Sequence, residues 1–188
     1  GGETIRLGNP ESMVGLFANN NRGKRCVSVD LGKEGASALL LDMAKTCDVF
    51  VENFRPGVAG RLGVGYEAVR AAKPDIIYCS INGFGNDGPY ANRPALDPVI
   101  QALTGMIAGQ ASMSLPFPDL IRTLVADKAT AYTAAQAITA ALFARDRGAG
   151  GQRLDLSMLD ATMAYYWPDG MSDKTHPDDP TAAPLRAC

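Results

Sequence analysis

Apolar positions along the chain follow two periods. Short β-type runs stand at 26–30 (C-V-S-V-D), 49–51 (V-F-V), 76–80 (I-I-Y-C-S) and 152–156 (Q-R-L-D-L), and each predicts a strand. Between them the spacing turns helical. Residues 34–46 place Ala36, Leu39, Leu40, Met43 and Ala44 largely on one face, and shorter helices are predicted over 58–62, 66–72 and 99–108. A long alanine-rich helix is predicted over 128–145, ended by the glycines of 148–151. Ser157-x-x-Asp160 then caps a helix that runs through Trp167. The β-α-β order at the start predicts a right-handed crossover and parallel strands. The whole pattern predicts an α/β fold, a Rossmann-like parallel sheet with flanking helices, over residues 22–167. Residues 1–21 read as an irregular lead-in and 168–188 as a Pro- and Asp-rich linker or tail.

Two of the predicted strands end in polar loops. Residues 49–51 run into Glu52, Asn53 and Arg55 before Pro56-Gly57 stops them, and 76–80 open into I-N-G-F-G-N-D-G-P-Y. Both loops should lie at the carboxyl edge of one sheet, where ligands bind in open parallel sheets. Prolines 89, 94 and 98 punctuate the next connection, and a Ser- and Pro-containing loop runs through Pro118.

Composition narrows the function classes. With 188 residues, 46% hydrophobic and 20% charged, the chain can bury a globular core. Its net charge of −2 comes from 18 basic and 20 acidic residues that are well mixed, so there is no basic footprint for nucleic acid or an anionic membrane. No apolar run approaches the ~18 to 20 residues of a membrane span and no secretory leader opens the chain, so a cytoplasmic location is expected. The cysteines (26, 47, 79 and 188) form no C-x-x-C pair and read as small core residues. His176 is the only histidine, which excludes a histidine-based triad or a multi-histidine metal site, and no metal is expected. The Gly-Gly opening without Met, and the ending in P-T-A-A-P-L-R-A-C, read as a fragment of something longer.

Three groups of residues could carry chemistry. Residues 83–88 match G-x-G-x-x-G, but Pro89-Tyr90 follow and no helix opens there, so the dinucleotide reading fails. A loop flexible enough to approach a ligand, or a plain glycine-rich turn, fits better. Arg55 could pair with a carboxylate of its own protein, hold a phosphate or stack on a purine, and its place at the sheet edge favours a ligand role. Arg22, Lys24 and Arg25 pose the same choice ahead of the first strand. Asp127 stands between Leu124-Val125-Ala126 and the long helix, where it reads as an N-cap or as a carboxylate kept ionised for attack or proton abstraction.

The runs N-R-G-K-R-C-V-S-V-D-L, D-V-F-V-E-N-F-R-P-G-V-A-G-R-L-G-V-G-Y and I-I-Y-C-S-I-N-G-F-G-N-D-G-P-Y-A-N-R-P-A-L-D-P-V-I-Q-A-L-T-G resemble the class III coenzyme A transferase family. Its members include formyl-CoA transferase, carnitine CoA-transferase and α-methylacyl-CoA racemase. The resemblance implies a Rossmann-like domain that continues into a smaller one, in a homodimer of interlocked subunits. It places the nucleophilic aspartate on Asp127 and the coenzyme loop on Asn53, Phe54 and Arg55, with Arg61 and Leu62 just beyond. Lys33 is a further candidate, where the alignment shifts by one residue. On this resemblance the family's first strand, first helix and carboxyl-terminal portion are expected to have no counterpart here.

The implied substrates are acyl-CoA and a small carboxylic acid, with no permanently bound cofactor. The implied reaction moves coenzyme A between carboxylic acids through an aspartyl intermediate, with backbone N–H groups of the glycine loop as oxyanion donors. The alternatives are a 2-methylacyl-CoA racemase of the same fold and an inactive coenzyme A-binding fragment. Racemase members pair the aspartate with a histidine, and the matching position here is Leu96, which cannot move a proton.

Overall fold

A computed structural model describes residues 15–110, 119–171 and 175. Residues 1–14 of the expected lead-in, residues 111–118 of the loop, and most of the expected tail, His176 and Cys188 included, lie outside the described residues. Helix α1 (Gly15–Asn20) and helix α2 (Ala36–Ala44) precede strand β1 (Val49–Glu52). Then come α3 (Val58–Arg61), α4 (Tyr66–Ala72), β2 (Ile77–Asn82), α5 (Asp97–Leu103), α6 (Met106–Gly109) and α7 (Val125–Ala144). A π-helical turn at Arg145–Ala149 leads into β3 (Gln152–Ser157), and α8 (Met158–Gly170) follows.

The three strands form one parallel sheet in the order β1-β2-β3, with Phe50 opposite Tyr78 and Tyr78 opposite Arg153. Alternation along the strands gives the sheet two covered faces. On one, Ile76 and Tyr78 pack with Ala44 of α2 and Val69 of α4. Tyr78 stacks on Phe50 with centroids 5.4 Å apart and meets Tyr66 edge-on at 5.6 Å. Such pairs contribute about 0.5–1.5 kcal/mol each beyond area burial. On the other face Ile81 packs against Ile100, Ala126 and Met158, drawn from α5, α7 and α8. At the amino edge, Arg145 Nη2 pairs with Asp48 at 3.0 Å, fastening the end of α7 to the entry of β1.

Four expectations change. The run at 26–30 is extended but pairs with no described strand, and Val27 is 61% exposed. Alternating β-formers make a strand only when a neighbour supplies the ladder, and among the described residues the sheet therefore has three strands instead of four. Cys26 and Cys47 are exposed, and of the described cysteines only Cys79 is a core residue. The lead-in contains a helical segment, α1, whose Phe17 is buried. The helix expected over 99–108 begins at Asp97 and breaks at Gly105, whose φ of 78° belongs to the left-handed region that glycine adopts at little cost.

Candidate functional site

The carboxyl edge of the sheet opens into a cleft of about 380 Å³. One wall is the turn after β1, residues Asn53, Phe54, Arg55 and Pro56, and the other is the segment before α5, including Arg93, Pro94, Ala95 and Leu96. Asn82, at the end of β2, lies between them with Gly83. The turn after β1 is shaped locally. Glu52 is buried and accepts the Phe54 N–H at 2.8 Å, while Gly57, with φ 78°, starts α3. Arg61 lies back over this turn, because a Cβ on Gly57 would stand 3.1 Å from its Nη1.

The glycine loop forms the junction of the two walls, and no helix opens until Asp97. A Cβ at Gly83 would collide with the Ala95 Cβ, so only glycine lets the loop touch the opposite wall this closely. Its base is pinned, although the glycines themselves predict freedom. Asn82 Oδ1 accepts the Gly85 N–H at 2.6 Å, Asn82 Nδ2 donates to Asn86 Oδ1 at 3.0 Å, and Asn86 Nδ2 donates to Asp155 Oδ1 at 2.9 Å. The Gly85 N–H is thereby spent and is no donor for an oxyanion.

Asp127 is not the N-cap of the long helix. The helix begins earlier, with Leu124 in the cap position, which places Asp127 third in the first turn. A leucine cannot accept the N–H groups that a cap satisfies, so the acceptor comes from elsewhere in the fold. Asp97 Oδ2, on α5, accepts the backbone N–H of Asp127 at 2.9 Å. Asp97 is 4% exposed, and its Oδ1 accepts from Nε2 of Gln101, itself 1% exposed. Gln101 also accepts the Ile121 N–H through Oε1 at 3.0 Å and donates to the Ile121 carbonyl at 3.0 Å. Two buried polar side chains on α5 thus hold the segment that enters α7.

Asp127 is an exposed residue whose carboxyl is partly covered by the protein. Its pKa is raised from 3.8 by the protein packed around it and then by the neighbouring Asp97 charge, with Lys128 opposing. A carboxylate so placed is more basic than a free one while remaining accessible. Cys79, by contrast, is buried in the central strand and its thiol is pushed up to about 11, so it offers no thiolate. Among the described residues no group of three or more His, Cys, Asp or Glu is arranged to hold a metal ion.

The structure therefore gathers Asn53, Phe54 and Arg55 on the cleft, with Arg61 folded onto the same turn. Asp127 is not a lining residue; it joins the cleft through Leu96 and Asp97, adjacent residues of which Leu96 faces the cleft and Asp97 holds Asp127. Leu62 is half-buried behind Arg61, and Lys33 sits on an exposed turn, lining neither this cleft nor the smaller cavity beside it. Sequence reasoning passed over Asp97, Gln101 and Arg93. The spacing of Asp97 and Gln101, one helical turn apart in an otherwise apolar run, is the signal that could have found the first two.

A parallel three-layer α/β domain with a ligand cleft at the carboxyl edge and an accessible carboxylate behind it defines a class of small-molecule-binding domain. The comparisons place it more narrowly. The model of CoA-transferase family III matches residues 1–185, and the chain belongs to that family. It is 39% identical over 154 residues to the acetyl-CoA:oxalate CoA-transferase of Acetobacter aceti, covering 79% of this chain and 38% of that protein. It is 37% identical over 146 residues to a succinate–glutarate CoA-transferase of Agrobacterium fabrum, covering 77% of this chain and 36% of that one. The crystal structure of a CAIB/BAIF family protein from Brucella suis superposes with a TM-score of 0.86 at 32% identity, over 95% of this chain and 49% of that chain. The chain thus spans under half the length of the relatives it matches. Among the described residues, no helix is long and apolar enough to cross a membrane.

Proposed function

We propose that this chain carries the coenzyme A cleft and the attacking carboxylate of an enzyme that moves coenzyme A between carboxylic acids. The observation that carries the reading is the placing of Asp127: its backbone is fixed by buried Asp97 on another helix, the neighbour of the cleft-lining Leu96, while the residue itself stays exposed. The acyl-CoA lies between the turn Asn53–Arg55 and the wall 93–96, with Arg55 and Arg61 supplying cations for its phosphates.

The covalent sequence balances without a redox partner. The Asp127 carboxylate attacks the thioester carbonyl, and the tetrahedral oxyanion collapses to expel the coenzyme A thiolate and leave an aspartyl–acyl anhydride. The thiolate attacks the aspartyl carbon of the anhydride, releasing the first acid as its carboxylate and leaving an aspartyl thioester. The second acid's carboxylate repeats the attack in reverse order, which frees Asp127. Coenzyme A is conserved throughout, and the carboxylic acid is the partner that the names of the relatives share.

Racemisation at the α-carbon would need an acid and a base on opposite faces of that carbon. Leu96, 70% exposed on the cleft wall, holds the position that the family resemblance gives to the racemase histidine, and a leucine can move no proton. The enzyme works in the cytoplasm as a homodimer of a longer chain. Exposed Tyr132, Phe143, Tyr165 and Trp167 on α7 and α8 are apolar surface that further protein would cover. The test is mass spectrometry of the full-length protein after incubation with acyl-CoA. An acyl or coenzyme A adduct on the Asp127 peptide, released by hydroxylamine, is expected; an adduct on another residue would overturn the reading.

A further inference from the structure

We infer that Gln101 is a positioning residue for Asp127, acting through Asp97, an inference that rests on Asp127 being the nucleophile. Its amide can be oriented in one way only. Oε1 is held by the Ile121 N–H at 3.0 Å, so Nε2 must face Asp97 Oδ1 and the Ile121 carbonyl. A donor at that place requires an acceptor at Oδ1. The remaining oxygen, Oδ2, is then left for the Asp127 N–H at 2.9 Å. Gln101 is 1% exposed, so water does not supply a substitute donor. The same amide fixes the strap that enters α7, through both polar groups of Ile121 and the Thr123 carbonyl at 3.5 Å. One side chain thereby sets both the direction from which Asp127 enters the helix and the acceptor that locks its backbone.

None of these contacts reaches the coenzyme turn at 53–55, so binding and chemistry should separate when Gln101 is changed. In the full-length enzyme, Gln101→Met keeps the volume and removes the donor. Its kcat should fall about ten- to hundredfold, the loss of a buried charge-assisted hydrogen bond expressed as a rate, while KM for acyl-CoA stays within about twofold. Gln101→Glu keeps the Ile121 acceptor and places a second carboxylate against Asp97, and kcat should fall at least as far.

Adding Asp97→Asn to Gln101→Glu restores the pairing with the roles exchanged. The introduced asparagine donates through its NH₂ to the introduced glutamate, and its carbonyl oxygen accepts from the Asp127 N–H. The double variant should recover about tenfold or more over Gln101→Glu alone, whereas independent structural losses would add. A kcat within about twofold of wild type in Gln101→Met, or additive losses in the double variant, would overturn the inference. If Gln101→Met does not fold, the comparison of Gln101→Glu with the double variant decides by itself. Activity retained in Asp127→Ala would instead overturn the nucleophile assignment, and this positioning role with it.

Discussion

Replacing Asp97 by asparagine keeps the shape of the side chain and removes one acceptor. In the native arrangement both oxygens accept, one from the Asp127 N–H and one from Gln101 Nε2. Asparagine has one oxygen and one NH₂. If the oxygen faces Asp127, the NH₂ meets the Gln101 NH₂; if Gln101 turns over, its Oε1 abandons the Ile121 N–H. Either way one charge-assisted hydrogen bond disappears from a site 4% exposed, at about 1.5–3 kcal/mol. For a domain of this size each kcal/mol corresponds to roughly 2–4 °C, so the melting point should fall by about 3–12 °C. Transfer has its own signature. With Asp127 attacking as the carboxylate, as proposed, kcat should decline as pH falls through its folded pKa, which lies above 3.8 because of partial burial and then the Asp97 charge. Asparagine removes the second cause and leaves the first, so the acidic limb of the kcat profile should move to lower pH without reaching the value of a free carboxylate. Thermal melts and a pH profile of the full-length enzyme measure both. An unchanged melting point together with an unmoved acidic limb would refute the linkage between these two aspartates.

Asp127→Ala should abolish transfer without lowering the melting point at neutral pH. The folded pKa is raised, so the ionised group costs stability above that pKa and the cost fades on acidification; a drop the size of a lost N-cap, about 1 kcal/mol, would return Asp127 to the capping role. Arg55→Ala should weaken coenzyme A binding by about 1.5–3 kcal/mol in calorimetry, and unchanged affinity would assign the guanidinium to the protein's own surface. Gly83→Ala should destabilise by about 1–3 kcal/mol, because its Cβ would run into the Ala95 Cβ; a neutral substitution would show that the 94–96 wall yields freely.

Much of the fold was legible because local and global signals agree along the middle of the chain. The runs at 49–51, 76–80 and 152–156 became β1, β2 and β3 with shifts of a residue or two, since the central strand is buried, with its apolar residues facing both covers, and the other two pair along its edges. Ser157 caps α8 as the spacing predicted, accepting the Asp160 N–H at 3.2 Å. The run at 26–30 failed for a reason local pattern does not contain. Its alternation is as good as that of β1, but a strand exists through its partner, and no described strand lies beside it.

The site divides along the same line. That Asn53, Phe54 and Arg55 stand on the cleft was readable because a strand ending in a polar turn is a contiguous feature, and parallel topology places that turn at the carboxyl edge. Asp127 was readable as a residue but misread in its surroundings. Nothing within four residues of it tells that the helix starts at Val125, nor that a leucine occupies the cap position, because the acceptor stands 30 positions away on α5. An ordinary N-cap would have spent the carboxyl of Asp127 on the helix it begins. Supplying that acceptor from Asp97 leaves the Asp127 carboxyl with no duty to its own helix, and the charge that does the holding also makes it more basic. A carboxylate is a poor nucleophile when its lone pairs are engaged, so the relocation of one cap across the fold is what makes an attacking aspartate at this helix start chemically reasonable.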